Sequence, residues 1–198
     1  ATRVLVVTDP QLANSPAVQT AIDSLKQANI DYAVFDQVSV EPTDSSLKRA
    51  IKFTVEGNFD GFLPVGGGSS IDTAKAVNLY STYPAEFLEY VNAPIGKGTP
   101  VPGDLKPLVA VPTTAGTGSE TTGVSIFDYE ELGAKTGIAH RSLRPDVGLV
   151  DPENTRSLPK MVAACSGFDV LCHGIESYTA LPFSQREAPS SPAHRPAY

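Results

Sequence analysis

GFLPVGGGSSIDTAKAVNLY, residues 61–80, joins an apolar run to a helical pattern through three consecutive glycines. Gly61–Val65 predicts a buried strand, and the apolar spacing over 69–80 predicts a helix. Glycine permits sharp turns and lets a phosphate approach the main chain, while the free N–H groups of the following helix attract anionic oxygens. A simple tight turn is the alternative, and the dinucleotide pattern G-x-G-x-x-G is absent. The candidate pyrophosphate site comprises Gly66, Gly67, Gly68 and Ser69.

The segments before this stretch alternate between strand and helix patterns. Continuous apolar residues predict strands over Val4–Val7 and Tyr32–Phe35, and helical spacing predicts helices over Pro16–Lys26 and Thr43–Val55. Such βαβαβ alternation is typical of a parallel sheet with helices on both faces. The sequence therefore predicts an α/β fold with a Rossmann-like sheet, in which the first strand is central.

More strands follow the predicted helix. A connection rich in Pro and Gly, residues 92–107, leads to a fourth strand over Leu108–Val111. Short β-prone runs over Gly123–Phe127 and Lys135–Ala139 flank an acidic turn and predict a hairpin. Val147–Val150 is apolar throughout, so we expect one more buried strand.

The pattern changes after residue 155. Helical spacing without any strand signal runs from Ser157 to Ala180, which predicts the first helix of a separate helical domain. The last stretch has four prolines and few apolar residues, so we expect it to be irregular. The predicted division is an α/β domain over 1–155, the start of a helical domain over 156–181 and a tail over 182–198.

Composition limits the classes of function. The 198 residues are 41% hydrophobic, with a formal net charge of −7 and a pI near 4.9. A diffuse acidic surface disfavours nucleic acid, which needs clustered Lys and Arg, and no apolar run is long enough to span a membrane. Cys165 and Cys172 lie on one predicted helix with their Cα atoms roughly 10 Å apart, too far for a disulfide. We therefore expect free thiols in an intracellular, reducing compartment, packed in a core or an interface.

Two further features are typical of a ligand site. The run PTTAGTGSE, residues 112–120, places several hydroxyls and two glycines directly after a strand, where open α/β sheets bind ligands. A threonine-rich surface turn is the alternative. Asp36 ends the second strand, and a carboxylate there can hold the hydroxyls of a ribose and repel a 2′-phosphate. Taken alone, a strand-ending Asp is more often a turn residue.

Asp169 and His173 are four residues apart in GFDVLCHGIESYTA. On a helix both side chains leave the same face and can reach one ion. A carboxylate with an imidazole suits Fe(II), Zn or Mn, but two ligands leave such a site incomplete. A surface pair on a helix is the more common meaning of this spacing. Neither His140 nor His194 is expected to complete the site.

The segments GGGSSIDTAKA, PTTAGTGSE and GFDVLCHGIESY, in this order and separated by strands, resemble the iron-containing alcohol dehydrogenase family. The resemblance extends from the first strand to about Pro182. It implies a dehydroquinate synthase-like α/β domain that binds NAD, and a helical domain that carries the metal. The residues it implies for the cofactor are Asp36, Gly67, Gly68, Ser69, Asp72, Thr113, Thr114, Thr117, Ser119 and Lys135.

The resemblance also implies that Asp169 and His173 are the first two of four ligands to Fe(II), with zinc as the alternative metal. Family members continue for roughly as many residues again, and two more histidines come from that part. This chain alone is therefore expected neither to hold Fe(II) tightly nor to catalyse a reaction.

The expected activity is hydride transfer between a small alcohol or hydroxyacid and the nicotinamide of NAD. EPTDSS, APIGKG and ETTGVSIFDYE most resemble a mitochondrial branch of the family that uses 4-hydroxybutyrate with 2-oxoglutarate as acceptor. The resemblance therefore implies a mitochondrial location, and a cytoplasmic one if that branch is wrong. The alternatives are a truncated, inactive nucleotide-binding or interaction module, and a zinc enzyme of the same architecture, against which PTTAGTGSE argues. A homo-oligomer is compatible with the sequence.

Overall fold

Five parallel strands form the main sheet of the protein. A computed structural model describes residues 1–187 of the chain. The sheet has the order β2-β1-β3-β4-β7, and β5 and β6 form a separate antiparallel hairpin. In chain order the elements are β1 (Arg3–Val7), α1 (Pro16–Gln27), β2 (Asp31–Phe35), α2 (Asp44–Gly57), β3 (Gly61–Gly66), α3 (Gly68–Thr82), β4 (Val109–Pro112), β5 (Val124–Tyr129), β6 (Ala134–Ala139), β7 (Val147–Gly148) and α4 (Lys160–Thr179).

Helices cover both faces of the sheet, as the sequence predicts. Alternate residues of β1 point to opposite faces, so Val6 packs in one cluster with Val18 of α1. Leu5 and Val7 pack in another cluster with Ile71 of α3. β1 pairs with β2 on one side and β3 on the other, which explains its continuous apolar sequence. The predicted α/β fold is confirmed.

The helix α2 begins at a reciprocal cap. Thr43 Oγ1 accepts a hydrogen bond from the Ser46 N–H at 3.2 Å, and Ser46 Oγ accepts one from the Thr43 N–H at 2.9 Å. Two otherwise unpaired N–H groups are satisfied in this way. This cap fixes where the connection from β2 ends and α2 starts.

The connection between α3 and β4 is longer than the predicted 92–107. Among the described residues, no helix or strand lies between Thr82 and Val109. Tyr90 and Val91 from this connection are nevertheless buried, and they pack against Phe127 of the hairpin in a second core. Aromatic packing therefore orders a segment whose Pro and Gly content indicates only a loop.

The prediction of a buried strand over Val147–Val150 is wrong. β7 has only two residues, Val147 and Gly148, and both are exposed. Leu149 and Val150 are 50% and 69% exposed. β7 lies at the edge of the sheet beside β4, where the short turn at Ser119–Thr121 also contacts it. Apolar composition alone does not distinguish a central strand from an uncovered edge.

None of the side chains of α4 is buried within the described structure. Met161, Phe168 and Tyr178 are 73%, 68% and 91% exposed. Both cysteines are free and exposed, so the expectation of core cysteines is wrong, whereas an interface role stays a prediction. No helix within residues 1–187 is long and apolar enough to cross a bilayer. Of the predicted tail, residues 188–198, including His194, lie outside the described residues.

Candidate cofactor and metal site

A pocket of about 890 Å³ opens at the carboxyl ends of β1 to β4. Open α/β sheets bind ligands at this edge. Three segments face this pocket. They are the glycine junction between β3 and α3 (residues 66–68), the PTTAGTGSE loop and the Asp169–His173 pair of α4. The predicted site residues that line it are Gly67, Gly68, Ser69, Asp72, Thr113, Thr114, Thr117, Ser119, Lys135, Asp169 and His173.

Asp36 lies apart from this set. It follows β2 at the same edge of the sheet, but it is exposed and does not line the pocket. Val40, Glu41 and Pro42 from the same connection line the pocket instead. The role of Asp36 toward a ribose therefore stays a prediction.

The first turn of α3 is built to receive an anion. The helix begins at Gly68 after an N-cap at Gly67, and no side chain caps its first N–H groups. A Cβ at position 68 would lie 2.9 Å from Thr117 Oγ1, so glycine lets α3 approach the threonine loop, residues 112–120, without displacing that side chain. Ser69 Oγ accepts a hydrogen bond of 3.2 Å from the Glu41 N–H. These uncapped amides and the absence of a Cβ match a diphosphate.

The threonine loop is anchored to the glycine junction by its backbone. The Thr113 N–H donates a hydrogen bond of 3.0 Å to the carbonyl of Gly66. Gly118 adopts a φ of +65°, which side-chain-bearing residues rarely adopt. Thr117 Oγ1 accepts from the Ser119 N–H at 3.2 Å and closes the turn. The two glycine-bearing segments thus form adjacent walls of one pocket.

Lys135 lies on β6 at the exposed rim of the pocket. Its Nζ is 3.7 Å from Asp128 Oδ1 and 4.0 Å from Glu41 Oε1. More than half of the Lys135 side chain is exposed, so these ion pairs contribute little to stability. The ammonium remains available to an incoming group.

Asp72 lies deeper, in the first turns of α3, and pairs with Lys75. Lys75 Nζ is 3.3 Å from Asp72 Oδ1. Burial raises the pKa of the Asp72 carboxyl and lowers the pKa of Lys75, while the attraction between the two charges opposes both shifts.

Asp169 and His173 project from one face of α4 toward the pocket. His173 Nε2 is 3.8 Å from Asp169 Oδ1, and both side chains are more than a third exposed. Within residues 1–187, no cluster of three or more His, Cys, Asp and Glu side chains could hold a metal ion. The pair offers one oxygen and one nitrogen donor, which is half of a four-ligand site. His140 lies outside the pocket lining, at the end of β6, where its Nδ1 accepts from the Ser142 N–H.

Several pocket residues escaped the sequence analysis. Asp9, Gln11 and Leu12 follow β1 and line the pocket, with Asp9 Oδ1 accepting from the Gln11 N–H at 2.8 Å. Their position after the first parallel strand was the signal that could have found them. The α4 face also presents Cys165 and Ser166, for which the sequence offers no comparable signal.

Comparison with known proteins identifies the family of the chain. A family profile described as iron-containing alcohol dehydrogenase matches residues 1–152. The chain belongs to this family. The Bos taurus protein "Hydroxyacid-oxoacid transhydrogenase, mitochondrial" is 60% identical over 200 residues, which cover 100% of this chain and 43% of that protein. The Homo sapiens protein of that name is 56% identical with the same coverage. The chain thus spans less than half the length of these relatives.

Two solved enzyme structures share the fold. The iron-containing alcohol dehydrogenase from Thermococcus thioreducens has a TM-score of 0.82 and 35% identity, and the match covers 92% of this chain and 49% of that one. Sulfoacetaldehyde reductase from Bifidobacterium kashiwanohense, in complex with NAD+, has a TM-score of 0.77 and 31% identity, with 89% and 45% covered.

Proposed function

We propose that this iron-containing alcohol dehydrogenase chain is the cofactor-binding part of an NAD-linked, metal-dependent oxidoreductase. Its substrate class is a small alcohol or hydroxyacid. The observation that carries the proposal is one pocket lined at once by the N-terminus of α3, the threonine loop and the Asp169–His173 pair. This is the juxtaposition that hydride transfer beside a metal requires.

The proposed dinucleotide contacts follow from the chemistry of each segment. Gly67, Gly68 and Ser69 offer backbone N–H groups to the pyrophosphate. The hydroxyls of Thr113, Thr114, Thr117 and Ser119, with the carboxylate of Asp72, face the nicotinamide side, and Lys135 stands nearby. Asp36 holds the adenosine ribose and disfavours NADP. Sulfoacetaldehyde reductase, which shares this fold, was solved in complex with NAD+, and this supports a dinucleotide as the ligand.

Asp169 and His173 are the proposed ligands that this chain gives to Fe(II), the metal in the family's name, and zinc suits the same donors. When bound, the metal supplies Lewis-acid chemistry and NAD accepts hydride. The chain's own part is to fix a carboxylate and an imidazole within reach of the nicotinamide wall. The hydroxyls opposite them orient the bound molecules.

A hydroxyacid is the narrower substrate proposal. The relatives at 56–60% identity are named hydroxyacid-oxoacid transhydrogenase and mitochondrial. Because the identity is this high, we propose a hydroxyacid substrate and a mitochondrial location for this protein as well. One candidate substrate pair is 4-hydroxybutyrate and 2-oxoglutarate.

Calorimetric titration with NAD, with and without Fe(II), tests the proposal on this chain and on a version extended to the length of the relatives. Both should bind NAD, and only the longer one should retain metal and oxidise a hydroxyacid. Failure of the longer version to bind NAD would overturn the proposal.

A nucleotide-binding or interaction module without catalysis is the second candidate. The exposed apolar side chains of α4, including Leu171 and Ile175 at 55% each, favour it because such surface commonly meets a partner. Oxidation of a hydroxyacid by the 198-residue chain alone would exclude this candidate. NAD binding without any turnover, by this chain and by the extended version alike, would support it.

A further inference from the structure

Lys75 is a wholly buried lysine on α3, with 0% of its side chain exposed. Its Nζ donates to the carbonyl of Val124 at 2.7 Å and to Thr122 Oγ1 at 3.1 Å. The third partner is Asp72 Oδ1, at 3.3 Å. All three of its N–H donors therefore have an acceptor, which is the condition for burying an ammonium.

Asp72 reaches the same segment from the other side. Its Oδ2 accepts a hydrogen bond from the Ile126 N–H at 3.0 Å. Its carbonyl accepts a hydrogen bond from the Ser125 hydroxyl at 2.8 Å. Asp72 and Lys75 together thus bind four of the five residues of 122–126, which lead into and begin β5.

This segment is a wall of the proposed NAD pocket. Thr122, Val124 and Ile126 line the pocket, as does Asp72 itself. Lys75 does not line it. Lys75 therefore stands behind the wall, in contact with residues that face the pocket.

We propose that Lys75 is a positioning residue that holds the Thr122–Ile126 segment and the Asp72 carboxylate in place for the dinucleotide. The inference rests on the proposed function for the identity of the ligand. A purely stabilising role explains the arrangement poorly, because well-packed apolar residues generally stabilise a core as well as a buried ion pair does. What an apolar side chain cannot supply is a fixed direction for a carboxylate and a carbonyl.

The charges around Lys75 determine what its removal does. Asp72 on α3 and Glu120 on the turn before β5 are the acidic groups that act on it, alongside the neutral oxygens of Thr122 and Val124. Without the ammonium, the buried Asp72 loses the charge that favours its ionised form, so its pKa rises. A protonated Asp72 no longer offers a carboxylate to the pocket.

The test compares Lys75→Met with Lys26→Met in the 198-residue chain. Lys26 is exposed on α1, where it pairs with Asp23, so it serves as the matched control. Calorimetry gives the NAD affinity at several pH values, and hydrogen exchange reports the amide of Ile126. Lys75→Met should weaken NAD binding about tenfold, as expected for a displaced positioning contact. Hydrogen exchange at the Ile126 amide should accelerate. As the pH is lowered, the NAD affinity of the variant should begin to decline at a higher pH than that of the parent chain.

A double variant, Asp72→Asn with Lys75→Met, keeps the proposal testable if Lys75→Met alone fails to fold. It removes the buried carboxyl along with its partner, so it should fold while NAD binding stays weak and loses the added pH dependence. Unchanged NAD affinity and unchanged Ile126 exchange in either folded variant would overturn the inference. If neither the parent chain nor its extended version binds NAD, the proposed function fails, and Ile126 exchange alone decides whether Lys75 holds the segment.

Discussion

Gly68 lies so close to Thr117 that a Cβ at position 68 would stand 2.8 Å from the Thr117 Cγ2 atom. This contact joins the start of α3 to the loop after β4. Real Cβ atoms essentially never approach another heavy atom this closely, so a side chain at position 68 would force Thr117 or the helix start to shift. The shape of this pocket wall therefore depends on the lack of a side chain at residue 68.

Gly68→Ala should separate these two segments and weaken NAD binding. A displacement of the helix N-terminus by about 1 Å can cost one to two orders of magnitude in a positioned interaction. Calorimetry with NAD measures the effect. Gly174→Ala is the control, because a Cβ there meets nothing within 4 Å. Equal affinities for the two variants would show that the close approach is irrelevant to the cofactor.

Asp36→Ala should reduce the preference for NAD over NADP. The carboxylate is proposed to accept hydrogen bonds from the ribose hydroxyls and to repel a 2′-phosphate. Calorimetry gives the dissociation constants for NADP and for NAD. The ratio of the NADP constant to the NAD constant should fall in the variant, mainly through weaker NAD binding. An unchanged ratio would mean that the exposed Asp36 does not contact the cofactor.

The isolated chain should lose Fe(II) on desalting. Asp169 and His173 supply two donors, and no third His, Cys, Asp or Glu side chain among residues 1–187 joins them. Metal analysis after gel filtration should therefore find far less than one iron per chain, and His173→Ala should change this little. Stoichiometric iron, or turnover by the chain alone, would contradict the half-site.

Acid should destabilise the chain through Asp60. Its carboxylate accepts hydrogen bonds from the Arg3 and Thr2 backbone N–H groups and from the Thr2 hydroxyl, which lowers its pKa from 3.8 to about 2. A lowered pKa stabilises the fold fully above the unfolded value, and this contribution disappears as the pH falls from 3.8 to about 2.

Asp60→Asn removes this titration. Urea unfolding at pH values between 5 and 2 should show a shallower loss of stability in the variant than in the parent chain. Parallel losses would show that the Asp60 hydrogen bonds do not drive the acid response.

Local patterns predicted most of this fold. The apolar runs of β1 and β3 and the helical spacing of α2 report on structure formed within a few residues, and these elements stand where the sequence placed them. Burial of β7 depends instead on what covers a sheet edge. No local pattern encodes that, so the apolar residues Val147–Val150 predict a burial that the structure does not have.

The candidate site likewise has some features that local sequence patterns predict and others that arise only when distant segments fold together. The glycine junction and the threonine loop were predictable because each carries residues with special backbone or hydroxyl chemistry. The Asp72–Lys75 pair with its link to Ile126 was not, because the partners are 54 residues apart in sequence and meet only after folding. Asp9 and Glu41 became pocket residues solely through their position after parallel strands.

A crystal structure of the chain with NAD bound would show whether one pocket holds the whole dinucleotide. We expect the pyrophosphate at the N–H groups of Gly68 and Ser69, and the nicotinamide between the threonine loop and the Asp169–His173 face of α4. A dinucleotide bound elsewhere on the chain, or a nicotinamide pointing away from α4, would contradict this expectation.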